Sequence, residues 1–426
     1  MIEPAALLKD LVRINTTNPP GEEEKLLLYL ERILQEHGIP YVYQESAKGR
    51  GNLLAWQLAD QAEEAPLILM SHTDVVAAQA SQWKFPPFEA QEVDGYIYGR
   101  GTVDTKQLTA MELTAFLALK EKEIPLKRDV YFLATSDEES GSAYGLQWFL
   151  DHEITVGETT KTGRELFRGS DVISEGGGFP VVGGKREFYL CESGQKSCGT
   201  VEFTVKAKSA KGAFFTSGDG MERAMGLAED IGKQKLDGRV LDTVKQFEQK
   251  LAVQLSPMMQ KILTAMKQNS MTVTMITGKN VNEVTLVCDV RLLPGFGQKY
   301  LEEVLKNLAE KWDCSYRIVS LSQGYESSPD GEMLKILEEA TLEILGKTKE
   351  EAEILPFVSM GSSDGRFLAD LDTKVYGYSP VYAWDMTFDS AVTMVHGINE
   401  RIHRDSVVFG SKVLTLAVCR AAQSGI

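Results

Sequence analysis

A chain of 426 residues is longer than one ordinary domain, so two domains are expected. Charged residues at 25% and apolar types at 43% give a globular composition with enough material for a sizeable core. The formal net charge of -16, with no basic run to offset it, repels phosphate backbones and argues against nucleic-acid partners.

Residues 4–14 read as a helix stopped by Asn18-Pro19-Pro20, and 22–37 as a second helix stopped by Gly38. Strands are expected at 41–44 and 52–57. The run 66–70 is short and continuously apolar, the pattern of a strand buried on both faces. A helix follows over 106–122, with Leu108, Met111, Phe116 and Leu119 on a helical period, then a strand at 129–135, a helix at 144–151 and a strand at 171–174. Strands alternating with helices predict an α/β domain with a mostly parallel sheet and helices on both faces.

The pattern changes near residue 200. Residues 200–206 alternate on a period of two, helices are expected at 221–233 and 240–266, and strands at 272–276 and 283–291. A helix at 300–311 and a strand at 315–320 follow. This order predicts a smaller α+β, ferredoxin-like domain. The first pattern resumes with a helix at 332–345 and ends in one at 405–421. The expected division is therefore 1–196 and 323–426 for one domain, with 197–322 inserted as a lid. The charge run 347–353 reads as a solvated loop.

Five cysteines, without a Cys-x-x-Cys pair, read as reduced thiols. The N-terminus lacks a basic segment followed by an apolar stretch, so no signal peptide is expected. The longest apolar runs are of strand length, so no membrane span is expected. The cytoplasm is the expected location.

Histidine is scarce, at five residues, and zinc sites favour histidine and carboxylate ligands. His72 lies in Ser71-His72-Thr73-Asp74 after the buried strand. In extended chain, i and i+2 point the same way, so Asp74 can orient the imidazole. A strand-end pair with a structural role is the alternative. Asp104, in Gly99-Arg100-Gly101-Thr102-Val103-Asp104, precedes a helix and could equally be its N-cap. Asp137, Glu138 and Glu139 are three adjacent acids that repel one another unless a cation intervenes, or else form an exposed turn. Glu175 precedes three glycines at a strand end, which fits close approach to a ligand as well as a plain loop. His396 sits in a loop. His37, His152 and His403 look structural. Four of these sites follow or flank strands of one sheet, where ligands gather at carboxyl ends. Together they supply the bridging and terminal ligands of a two-metal centre.

In this order the motifs resemble those of the zinc peptidases and deacylases that include acetylornithine deacetylase, succinyl-diaminopimelate desuccinylase, aminoacylase and bacterial glutamate carboxypeptidase. The matching stretches are Ser-His-Thr-Asp at 71–74, Tyr-Gly-Arg-Gly-Thr-Val-Asp-Thr-Lys at 98–106, Thr-Ser-Asp-Glu-Glu-Ser-Gly at 135–141, Ser-Glu-Gly-Gly at 174–177 and His-Gly-Ile-Asn-Glu-Arg-Ile at 396–402. The resemblance covers essentially the whole chain. It implies that Asp104 bridges two divalent metals, zinc or alternatively cobalt or manganese. His72 and Glu175 would complete one metal, Glu139 and His396 the other, with Glu138 as general base and Asp74 orienting His72. It further implies a cis peptide at Asp104–Thr105, a carboxylate-gripping Arg291, for which an ion pair on the lid surface is the alternative, and a substrate-lining loop that includes Gly361 and Ser362. The implied substrate is a small peptide or N-acyl amino acid, and pairing of lids into a homodimer is a further implication.

One departure concerns the lid. Many relatives carry a lid histidine that reaches the reaction centre, and Lys211 stands at that position here, with no histidine between 153 and 395. Lys211 would be a more flexible donor to an oxyanion, or else the lid takes no part in catalysis. The Asn-Val-Ile-Pro stretch usual before the lid arginine is also altered, to Asn280-Val281-Asn282-Glu283. Two other readings therefore stay open: a metal-bearing binding protein without efficient turnover, and an aminopeptidase type that recognises a free amine.

Overall fold

The computed structural model describes residues 2–183, 185–207, 219–251, 255–280 and 282–424. Among them, ten strands form one sheet. Its order runs Tyr41–Ala47, Arg50–Gln57, Val130–Thr135, Leu67–His72, Asp171–Ser174, Lys374–Gly377, Arg186–Gln195, Pro180–Gly183. Tyr325–Glu326 and Ala352–Ser359 also pair with Arg186–Gln195. The centre is parallel, because Leu67–His72 runs alongside both Val130–Thr135 and Asp171–Ser174, and Lys374–Gly377 continues it. The flanking pairs are antiparallel, apart from Ala352–Ser359 on Arg186–Gln195.

The central strands are apolar throughout because both faces are covered. Leu67, Leu69, Val130, Phe132 and Ala134 enter the core beneath the helices Pro4–Arg13, Glu24–Glu36, Lys106–Glu121 and Arg404–Ala422. Their alternating neighbours Ile68, Met70, Tyr131 and Leu133 enter a second core under Leu146–Asp151 and Gly163–Phe167. Each large apolar side chain so buried contributes roughly 1.5–3 kcal/mol.

A separate antiparallel sheet has the order Ser270–Asn280, Glu283–Leu292, Ser197–Lys206, Ser315–Leu321. Val201, Phe203 and Val205 alternate into a third core with Val284, Leu286 and Val290, under the helices Asp219–Lys233 and Gln298–Trp312. Helices on one face leave the other open, and along Ser197–Lys206 the residues turned that way, Thr200, Glu202 and Thr204, are polar, which explains the period-two pattern seen in the sequence.

The segment 240–266 departs from expectation. It forms two helices, Asp242–Lys250 and Pro257–Ala265, with Ser256 capping the second through the Met259 amide. Pro257 has no N–H and so opens a helix rather than continuing one. Val244, Phe247 and Met259 join the core of the large sheet, not that of the small one. The interval 197–322 thus carries the small sheet, yet part of it packs against the large one. The strand Ala352–Ser359 also starts inside the charge run read as loop.

Candidate metal centre

Parallel pairing puts the carboxyl ends of three strands side by side. His72 ends one strand and faces Thr135 across the ladder, the turn carrying Glu138 and Glu139 follows the next, and Glu175 follows the third. Asp104 comes from the loop before the helix Lys106–Glu121. It is not the N-cap of that helix: Thr105 takes that place, and no side chain caps it. The loop is gripped from behind by Glu400, whose carboxylate accepts the amides of Gly101 (3.1 Å), Val103 (2.6 Å) and Asp104 (3.1 Å). Arg100 donates to the same carboxylate at 2.7 Å. The Asp104–Thr105 peptide is cis, as expected.

Two clusters result, His72–Asp104–Glu175 and Asp104–Glu139–His396, each with ligand atoms within 4.8 Å of one another. Asp104 belongs to both. Its Oδ1 lies 3.2 Å from His72 Nε2 and its Oδ2 3.2 Å from His396 Nε2. Glu175 Oε2 is 3.6 Å from His72 Nε2, and Glu139 Oε2 is 3.1 Å from His396 Nε2. His396 holds this position at a left-handed φ of 58°, which is unusual for a residue with a side chain.

Asp74 meets His72 through two groups, its carbonyl 3.0 Å and its carboxylate 3.4 Å from Nδ1. That carboxylate also accepts the amides of Glu138 and Glu139, both at 3.1 Å, and so fixes the acidic turn. Asn18, delivered by the proline-rich segment, donates from Nδ2 to Asp74 (2.9 Å) and to Asp137 (3.0 Å). The glycines after Glu175 also serve another purpose. A Cβ on Gly177 would meet the Gly377 carbonyl at 2.4 Å and one on Gly178 the Ser379 carbonyl oxygen at 2.3 Å, so these two allow backbone to approach backbone, while Gly176 faces the Glu192 side chain and lines the cavity onto which the centre opens.

The electrostatics fit cations. Burial raises Glu138 well above the usual carboxyl range, and the charge of Glu175 adds to this. Burial also raises Glu175. Asp104 is held low in spite of burial, by His396 and His72. Burial would lower His72, yet Glu175, Asp104 and Asp74 drive it well above its ordinary value. His396 is pushed up to about 10 by Asp104 and Glu139. Glu139 Oε1 is buried with no hydrogen-bond partner among the described residues. Carboxylates crowded on two imidazoles, with one such oxygen orphaned, make a donor set suited to hard or borderline divalent ions.

The centre opens into a cavity of about 710 Å³, lined among others by Gly361, Ser362, Ser363, Arg366 and Glu192. Gly361 and Ser362, which the resemblance assigns to a substrate-lining loop, are among these lining residues. Arg291 is not among the lining residues. Its guanidinium donates to Asp289 (2.9 Å), to the Met360 carbonyl (3.0 Å) and to Cys198 Sγ (2.6 Å). Arg366 stands nearer the chemistry, 3.5 Å from Glu138 Oε1. Lys211 lies outside the described residues. The other histidines serve helix ends: His403 accepts the Asp405 amide, and His37 and His152 contact carbonyls one turn back.

The family model described as Peptidase family M20/M25/M40 matches residues 68–420. The chain belongs to this family. As a member it is a metal-dependent hydrolase. The chain is 23% identical over 420 residues to aminoacylase-1 of Sus scrofa, covering 96% of this chain and 93% of that protein. It is 23% identical over 439 residues to an N-fatty-acyl-amino acid synthase/hydrolase of Xenopus tropicalis, covering 94% of this chain and 82% of the other. Its fold superposes on an M20 family metallo-carboxypeptidase from Sulfolobus solfataricus with a TM-score of 0.72 at 19% identity, covering 98% and 99% of the two chains.

Three residues that matter to this geometry, Glu400, Arg366 and Glu192, were not singled out from the sequence. Glu400 sits in the same motif as His396, four residues on, and Arg366 closes the Gly-rich loop. In both, a charged residue inside an already notable motif was the available signal. Glu192 offered none, since it lies on a strand that its own polar residues obscure.

Proposed function

We propose that this member hydrolyses an amide bond in a small peptide or N-acyl amino acid with a free carboxylate, using two divalent ions, with zinc favoured over cobalt or manganese by the His and carboxylate donors. The observation that carries the reading is Asp104, whose two oxygens each face a different histidine at 3.2 Å. In this reading Asp104 holds both ions, His72 and Glu175 the first, and Glu139 and His396 the second. When bound, the ions polarise the amide carbonyl and increase the acidity of the attacking water.

The protein's own groups do the rest. Glu138 takes one proton from the attacking water and returns it to the leaving nitrogen as the C–N bond breaks, giving a carboxylate and an amine. Asp74 holds Glu138 and Glu139 in register through their amides. Arg366, next to Glu138, is placed for the substrate carboxylate, which a planar guanidinium suits. The names of the relatives, an aminoacylase and an N-fatty-acyl-amino acid hydrolase, support the substrate class.

The same proposal places the enzyme in the cytoplasm, as a pair of subunits joined through the domain of the small sheet. All five cysteines are unpaired. Among the described residues no helix is long and apolar enough to cross a membrane. The test is a panel of dipeptides and N-acyl amino acids with added zinc, cobalt or manganese. Metal-dependent cleavage supports the proposal. Tight binding without turnover across the panel overturns it in favour of a binding protein.

A further inference from the structure

The strand Ala352–Ser359 of the large sheet runs into a stretch, residues 359–363, that lines the cavity of the metal centre. Two carbonyls of this stretch accept from donors at the root of the small sheet. Arg291, on the strand Glu283–Leu292, donates from Nη1 to the Met360 carbonyl at 3.0 Å. Gln195, which ends the strand leading into the small sheet, donates from Nε2 to the Gly361 carbonyl at 2.9 Å. Arg366 takes the far end of the stretch. Its Nη1 donates to Ser362 Oγ (3.0 Å) and to the Ser363 carbonyl (2.7 Å), and lies 3.5 Å from Glu138 Oε1. An unbroken chain of contacts thus runs from the small sheet to Glu138.

Arg291 is oriented for this contact. Val290 and Leu292 enter the third core, so Asp289 and Arg291 share the opposite face of their strand. Asp289 accepts from Nε and from Nη2, each at 2.9 Å, and so occupies the edge of the guanidinium that suits a carboxylate. The remaining corner, Nη1, meets Met360 and also Cys198 Sγ at 2.6 Å, Cys198 being the ladder partner of Arg291. A hydrogen bond from a charged donor to a part-buried carbonyl is stronger than a neutral one.

We propose that Arg291 is a positioning residue. By holding the Met360 carbonyl it ties the cavity stretch 359–363 to the small sheet, and through Arg366 it sets the place of Glu138. The inference rests on the hydrolase reading, in which Glu138 is the base, so one of its tests needs no turnover.

That test is amide hydrogen exchange. In Arg291→Ala, exchange over 358–366 should quicken about tenfold while 130–135 keeps the parent rate. The second test is turnover of an N-acyl amino acid that the parent cleaves. In the same variant kcat should fall about tenfold, with KM changed by less than about threefold. In an Arg366→Ala background, which cuts the chain at its last link, Arg291→Ala should cost no more than about threefold. Arg291→Lys, with one ammonium in place of the fork, should show a smaller change of the same kind, and it serves if the alanine variant fails to fold.

Unchanged exchange over 358–366 in the folded variants overturns the inference and leaves the hydrolase reading intact. A KM raised about tenfold with kcat kept also overturns it, because Arg291 would then touch substrate. Costs that multiply in the double variant overturn the link to Glu138. Faster exchange in a protein whose parent cleaves nothing in the substrate panel supports the tie to Met360 and overturns the hydrolase reading.

Discussion

Replacing Glu400 tests how the bridging aspartate is held. Glu400 is fully buried and its partner Arg100 is 3% exposed, so the pair is screened from water. Glu400→Ala strips the acceptor from three backbone amides and leaves a buried guanidinium uncompensated. Breaking a buried pair costs about 3–5 kcal/mol, a large share of the 5–15 kcal/mol that usually separates native from unfolded chains. Glu400→Gln keeps one acceptor oxygen but turns an amide donor toward other donors, at about 1–3 kcal/mol. Because Asp104 loses its amide anchor, both variants should also weaken metal binding, by about 10–100-fold as for other supporting partners of metal ligands. Urea unfolding of the metal-free protein reads the first effect, and competition with a chromophoric chelator reads the second. If Glu400→Ala costs under about 1 kcal/mol, or binds metal as the parent does, Glu400 does not position Asp104.

Other expectations follow from the same geometry. His396, at about 10, keeps its proton at neutral pH, and only its neutral form ligates a metal. Apparent metal affinity should therefore increase as pH rises from 6 to 9, and a flat chelator titration over that range contradicts this. Asn18→Ala removes the donor shared by Asp74 and Asp137, so kcat should fall about tenfold or more while KM changes little. An equal change in both would point to substrate contact instead. Arg366→Ala should raise KM for carboxylate-bearing substrates by about tenfold or more, and Arg366→Lys should restore little of it. A larger effect at Arg291 would return the carboxylate to that residue.

The central fold was legible because burial on both faces writes continuous apolar runs into the strands, as at 66–70 and 129–135. The candidate metal-holding residues were legible because each follows such a strand or sits in a Gly-rich loop, and their order along the chain matched a known pattern. The strand Arg186–Gln195 was not legible. Its second half carries Glu192, Ser193 and Gln195, polar residues that are buried there, and such residues erase the apolar signal. Segment 240–266 misled because amphipathicity tells which face is buried but not which sheet receives it. Asp74 and Arg291 carry more than spacing tells. Spacing put Asp74 beside His72, but not that its carboxylate would also accept the amides of Glu138 and Glu139, which come from the turn after another strand. Arg291 pairs with Asp289, two residues away on the same strand, in line with the ion-pair alternative to a carboxylate-binding role.

The most direct test of the account is metal analysis of the parent protein and Glu138→Ala, together with turnover of an N-acyl amino acid that the parent cleaves. The account predicts two metal ions per chain in both proteins and turnover lost in the variant by at least about a hundredfold, the scale of a positioned general base. Near-normal turnover in Glu138→Ala with both metals retained, or a single metal in a fully active parent, would contradict it.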